Sequence, residues 1–74
     1  MSIAENLKFL RKKAGYTQEQ FAQELGIKRS LVGAYEEGRA EPRLQNLSKI
    51  SKVLNVTVDG LIVGDQTTLK SIKF

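Results

Sequence analysis

Lys28, Arg29 and Ser30 stand together in the chain, and Arg39 and Arg43 follow shortly after them. The chemistry open to this set is donation. A guanidinium offers a rigid fork of N–H groups that can grip an acceptor pair, an ammonium is a mobile point charge, and a hydroxyl donates or accepts. Lys28 and Arg29 fall where helical periodicity resumes after Gly26, at the end of a helix dipole that disfavours cations by about 0.3–1 kcal/mol. An anionic surface lying against them would offset that cost. Two exposed cations tolerated without purpose is the other reading, and the charges by themselves leave both open.

Other chemistries lack their groups. The 74 residues include no cysteine and no histidine, which excludes a disulfide framework, the usual zinc ligand sets, a thiolate nucleophile and an imidazole general base. The Asp and Glu residues fall on different predicted faces without an acid–base motif, and no glycine loop of the phosphate-cradling kind is present. A chain this short makes one small domain, burying roughly 60 % of its unfolded surface, and is too small to enclose a substrate cleft. Neither enzymatic activity nor a cofactor is expected. Twelve Lys and Arg against eight Asp and Glu give a net charge of +4, compatible with a nucleic-acid partner but insufficient to establish one. The apolar fraction of 41 % and charged fraction of 27 % are those of an ordinary soluble domain. No apolar run approaches the roughly 20 residues of a membrane span. The stretch from Met1 to Glu5 has neither the basic start nor the apolar core of a secretory signal, so a cytoplasmic location is expected.

The elements that must position the cations are legible from caps and periodicity. Ser2 and Glu5 have capping-box spacing; Ile3, Leu7, Leu10 and Ala14 then recur at helical intervals, with Phe9 beside them, up to Gly15. The pattern predicts a first helix over residues 3–14. Thr17 and Gln20 form a second capping box ahead of Phe21, Ala22 and Leu25, and Gly26 closes that short helix. A third helix is predicted from Arg29 to Glu36, with Leu31, Val32 and Tyr35 on one side and Gly38 as its stop. Leu44, Leu47, Ile50 and Leu54 mark a fourth, ended by Asn55; Thr57 caps a last short helix carrying Leu61 and Ile62. With short connections and no sustained alternation, the expected fold is a compact all-α domain of five short helices over residues 1–64.

Between residues 18 and 37 the pattern is that of two helices crossing steeply through a tight turn. Ala22 is small where the helices must approach, Gly26 supplies a positive φ, and Ile27 can anchor the turn. Phe21 and Leu25 face Val32 and Tyr35 across the crossing, and Tyr16 is expected to pack at the turn before. The stretch from Thr17 to Ser30, continued by Tyr35-Glu36-Glu37-Gly38-Arg39, Glu41-Pro42 and Leu47-Ser48-Lys49-Ile50, resembles the helix-turn-helix of the Cro/lambda-repressor-like, XRE-type regulators. The likeness spans residues 3–64 and implies a five-helix DNA-binding domain, usually dimeric on a palindromic operator, with the third helix in the major groove.

Residue by residue, the resemblance implies that Gln18 contacts a phosphate, that Arg29 and Ser30 read base edges, and that Arg39 and Arg43 contact the DNA backbone. An arginine paired to guanine O6 and N7 predicts a G opposite Arg29. Lys28 could meet a base or a phosphate. It stands where many members have a capping Ser, a departure in the destabilising direction. Gly33 and Ala34 occupy positions from which relatives often read bases with polar side chains, and both are expected on the exposed face one turn further on. Ala34 can touch only a thymine methyl. Gly33 costs about 1 kcal/mol relative to Ala within a helix, a cost that fits either close backbone approach to the groove or mere tolerance. Side-chain readout is therefore expected to concentrate in the first turn of the third helix. The resemblance also implies a salt bridge from Arg11 to Glu36. Glu36, Glu37 and Glu41 offset part of the basic cluster.

The expected activity is sequence-specific binding of double-stranded DNA by a transcriptional regulator, a repressor of phage or bacterial type, acting as a homodimer. An antitoxin-type module that binds a protein partner as well as its own operator is the alternative. Residues 65–74, with Leu69, Ile72 and Phe74 among polar neighbours, could serve such a partner, pair as a strand with a second copy, or begin a linker to a further domain.

Overall fold

In a computed structural model of the chain, residues 2–63 are described; the expected boundary after residue 64 and the tail at 65–74 lie outside them. Five helices follow in order, α1 (Ile3–Lys13), α2 (Gln18–Leu25), α3 (Arg29–Glu36), α4 (Leu44–Leu54) and α5 (Val58–Val63), with no strand among the described residues. Both capping boxes form. The Ser2 hydroxyl accepts from the Glu5 amide and the Glu5 carboxylate accepts from the Ser2 amide. Thr17 and Gln20 repeat the exchange at α2, and the Thr57 hydroxyl accepts the Gly60 amide at 2.9 Å at the head of α5. Each box satisfies amides that a helix start leaves free.

The reversal between α2 and α3 rests on Gly26, which sits at φ +71°. That conformation lets the Ile27 amide reach back to the Ala22 carbonyl at 3.0 Å, closing the last turn and swinging the chain into α3. A side chain at Gly26 would meet nothing within 4 Å; the constraint there is the backbone angle rather than space. Asn55 takes the same left-handed geometry, at φ 57°, after α4.

Leu7, Leu10, Phe21, Ala22, Leu25, Val32, Tyr35, Ile50, Leu54 and Leu61 form one core, with Tyr16, Ile27, Leu31 and Leu47 packed against it. The Tyr16 and Phe21 rings meet at 5.8 Å. Four residues placed in or beside the apolar stripes by periodicity lie elsewhere, among them Ala14, exposed at the C-cap of α1. Phe9 faces solvent beside the Lys13 ammonium. Leu44 is 74 % exposed because it is the first residue of α4 and precedes the turn that meets the core. Ile62 projects away from Leu61 at the end of α5 and is 49 % exposed. The inner face of α1 instead buries Asn6, whose amide donates to the carbonyls of Leu61 at 2.8 Å and Ile62 at 3.2 Å. A buried polar group needs such partners, and these two bonds tie α5 to α1. No helix among the described residues is long and apolar enough to cross a membrane.

Candidate nucleic-acid interface

Helix α3 starts without a side-chain cap. Lys28 is extended at the N-cap position and makes no capping bond, so no side chain caps the amides of the first turn, and the side chains of Lys28, Arg29 and Ser30 are exposed. Among the described residues neither Lys28 nor Arg29 has an ion-pair partner. The inner stripe of the helix, Val32 and Tyr35, is fully engaged in the core. The Tyr35 hydroxyl accepts from the Asn46 amide at 2.8 Å, which satisfies the ring's polar end and links α3 to α4.

At its far end α3 is held by a buried ion pair. Arg11 Nε donates to Glu36 Oε2 at 2.5 Å and its Nη2 donates to Oε1 at 3.0 Å, while Nη1 donates to the Tyr16 carbonyl at 2.7 Å. The two side chains are only 7 % and 2 % exposed. Gln18 joins them: its Nε2 donates to Glu36 Oε1 at 3.1 Å. The half-buried Gln18 amide, at the first position of α2, is therefore fixed by the same carboxylate that anchors α3. The family pattern pairs Arg11 with Glu36 but leaves Gln18 a separate group, because neither its polarity nor its spacing specifies a partner eighteen residues away.

Gly33 and Ala34 depart from the expected exposed face. Ala34 is buried, at 9 % exposure, because the chain returns over it after Gly38. The Arg39 amide bonds to the Ala34 carbonyl at 2.9 Å and the Ala40 amide reaches it at 3.3 Å. Gly33 is half-buried beside Gln18; a Cβ placed there would lie 4.0 Å from Gln18 Oε1, an ordinary contact. Nothing within the fold requires a glycine at that helical position.

The returning loop leaves a shallow groove of about 580 Å³ along one flank of α3, lined by Ile27, Lys28, Ser30, Leu31, Ala34 and Arg39. Arg39 leans toward Glu37, its Nε donating at 2.8 Å, with both side chains more than 60 % exposed. A pair so wet contributes about 0–1 kcal/mol at most and leaves Arg39 available to another acceptor. Arg43 is exposed at the N-cap of α4 without a capping bond. The structure thus gathers Lys28, Arg29, Ser30 and Arg39 around the outer side of α3, sets Arg43 at the next helix start, and locks Gln18 to the buried pair. Among the described residues, no three His, Cys, Asp or Glu side chains gather where they could hold a metal ion. What this arrangement offers is a short helix, fixed in the core along its inner face, that exposes cationic and hydroxyl donors at its first turn.

The helix-turn-helix family model matches residues 7–61. The chain is 47 % identical over 62 residues to the SPbeta prophage-derived HTH-type transcriptional regulator YonR of Bacillus subtilis, covering 84 % of this chain and 57 % of that protein. It therefore spans little more than half the length of that relative. The P22 c2 repressor, solved in complex with a synthetic operator, superposes with a TM-score of 0.82 at 28 % identity, covering 88 % of this chain and 98 % of that one. SinR, the master regulator for biofilm formation, solved in complex with DNA, matches with a TM-score of 0.75 at 33 % identity, over 80 % of this chain and 95 % of that one. With the family model matched across all five helices and these likenesses in sequence and fold, the chain belongs to the Cro/lambda-repressor-like, XRE-type helix-turn-helix family.

Proposed function

We propose that this chain is the sequence-specific double-stranded DNA-binding unit of a transcriptional repressor, acting in the cytoplasm as a homodimer on a palindromic operator with α3 in the major groove. The observation that carries the reading is the uncapped start of α3, where Lys28, Arg29 and Ser30 project outward from a helix whose inner face is locked into the core. Arg29 reads a guanine through O6 and N7, Ser30 reads the neighbouring edge, and Lys28 takes a base or a phosphate. Arg39 and Arg43 hold the phosphate backbone and fix the register of α3, and Gln18, its side chain tied to Glu36, contributes through the free backbone amides at the start of α2. Ile62 and Val63, 49 % and 58 % exposed at the end of α5, supply apolar surface for a second copy, which places half-sites about 34 Å apart. No catalytic step and no cofactor enter, since holding phosphates and reading base edges needs donors rather than nucleophiles. The P22 c2 and SinR complexes support it by analogy of fold. Selection from a random duplex library tests it: a palindromic half-site carrying a G is expected to emerge, and failure to enrich any sequence contradicts the reading.

A further inference from the structure

We infer that Asn6 is a positioning residue for the dimer. By gripping the end of α5 from α1, it fixes the angle between the Ile62–Val63 surface and α3, and hence the half-site spacing that two copies read. The inference rests on the homodimer reading above and names the residue that sets its geometry. Apolar contact holds α5 at one point: the helix is six residues long and gives a single side chain, Leu61, to the core. Apolar burial is non-directional, so this contact resists separation but leaves a short helix free to pivot about it. Ile62 and Val63 follow directly and are about half-exposed. Any pivot of α5 carries the partner-facing surface with it.

Asn6 removes that freedom. It is 1 % exposed, and its Nδ2 donates to the Leu61 carbonyl at 2.8 Å and to the Ile62 carbonyl at 3.2 Å. Both carbonyls belong to the last turn of α5, the turn whose carbonyls an α-helix leaves without partners of its own. Hydrogen bonds depend on angle as well as distance, so two of them to successive carbonyls define a direction that the contact at Leu61 does not. Among the described residues the Asn6 Oδ1 has no donor, and the side chain is engaged through donation alone. The same helix also holds α3. Arg11, five positions on and likewise buried, donates to both carboxylate oxygens of Glu36. The core residues Leu7 and Leu10 lie between these two polar anchors. Helix α1 is thus one strut, with the recognition helix at one anchor and the partner-facing helix at the other. In a two-fold dimer a tilt of α5 enters once from each copy. One added base pair moves a half-site by only about 3.4 Å and about a tenth of a turn, so a small pivot is enough to change the spacing that is read.

The test uses the 74-residue chain on its selected palindrome, on versions with base pairs added or removed between the half-sites, and on a single half-site. Wild type is expected to favour one spacing. Asn6→Leu keeps a similar volume and removes the donors. It is expected to match wild type in half-site affinity and base preference, to lose about tenfold on the best palindrome, and to accept neighbouring spacings that wild type rejects. Ile62→Ser weakens the partner-facing surface without freeing α5, and is expected to lose affinity at every spacing alike. A flattened profile from Ile62→Ser would make spacing a measure of dimer strength and overturn the proposal. Folding is followed by circular dichroism. If Asn6→Leu is unfolded, Asn6→Gln, which keeps both donors on a longer stem, is expected to shift or broaden the preferred spacing; if neither folds, Asn6 serves the fold itself and the proposal fails. A wild-type spacing profile from a folded variant, equal losses on half-site and palindrome, or a wild type indifferent to spacing overturns the proposal and leaves the homodimer reading standing. Wild type that binds the palindrome no better than one half-site overturns both.

Discussion

The two ends of α3 use charge in opposite ways. At its C-terminal end Glu36 is buried, gripped by Arg11 and Gln18, and ties three helices together. At its N-terminal end Lys28 and Arg29 are exposed and have no ion-pair partner among the described residues. A buried pair contributes little net stability over an apolar replacement, but losing one member leaves a desolvated charge behind. An exposed cation on a helix start is mildly unfavourable to the fold and costs almost nothing to remove. The charges that build the domain are thus distinct from those left for a partner, although both lie on one eight-residue helix.

The largest expected effect strikes the buried end. Arg11→Ala should destabilise the domain by about 3–5 kcal/mol in urea unfolding, and the double variant Arg11→Met with Glu36→Leu should recover most of that loss. A double variant as unstable as the single would mean that the pair does more than neutralise a buried carboxylate. At the exposed end, Arg29→Ala should leave the urea midpoint nearly unchanged and cost about 1–3 kcal/mol of operator binding, with relaxed preference at one base pair. Gly33→Ala sharpens the contrast because its two effects oppose. The added methyl fits beside Gln18, so stability should rise by about 1 kcal/mol, while DNA affinity should fall if the backbone approaches the groove there. A rise in stability with unchanged affinity would reduce Gly33 to a tolerated residue. Smallest is Arg43→Ala, which should weaken all sequences alike and reduce the salt slope of log K by about 1.

Much of this frame is legible in the amino-acid sequence. Ser2 with Glu5 and Thr17 with Gln20 announce helix starts because capping is local chemistry, complete within four residues. Gly26 announces the turn for the same reason: its left-handed angle is a property of one residue. The roles that escape a sequence reading depend on distant partners. Asn6 looks like a polar interruption of an apolar stripe until its amide meets carbonyls of α5 more than fifty residues away. Ala34 reads as exposed by helical phase, and only the returning loop buries it. Helical phase places Leu31 with the core residues Val32 and Tyr35; its open side belongs to a groove that two separate segments create. The cations of the interface are legible as a cluster, yet only the structure shows that Arg39 carries an exposed acidic neighbour and that Lys28 and Arg29 do not.

The most direct measurement compares wild type and Arg29→Ala on one selected duplex and its single-base-pair variants, with affinities determined at fixed salt. Wild type is expected to discriminate at the guanine step by about 1–3 kcal/mol, and the variant to lose discrimination there alone. An equal loss for Arg29→Ala on every sequence would overturn this assignment, because Arg29 would then be a phosphate contact and α3 would not read the groove from its first turn.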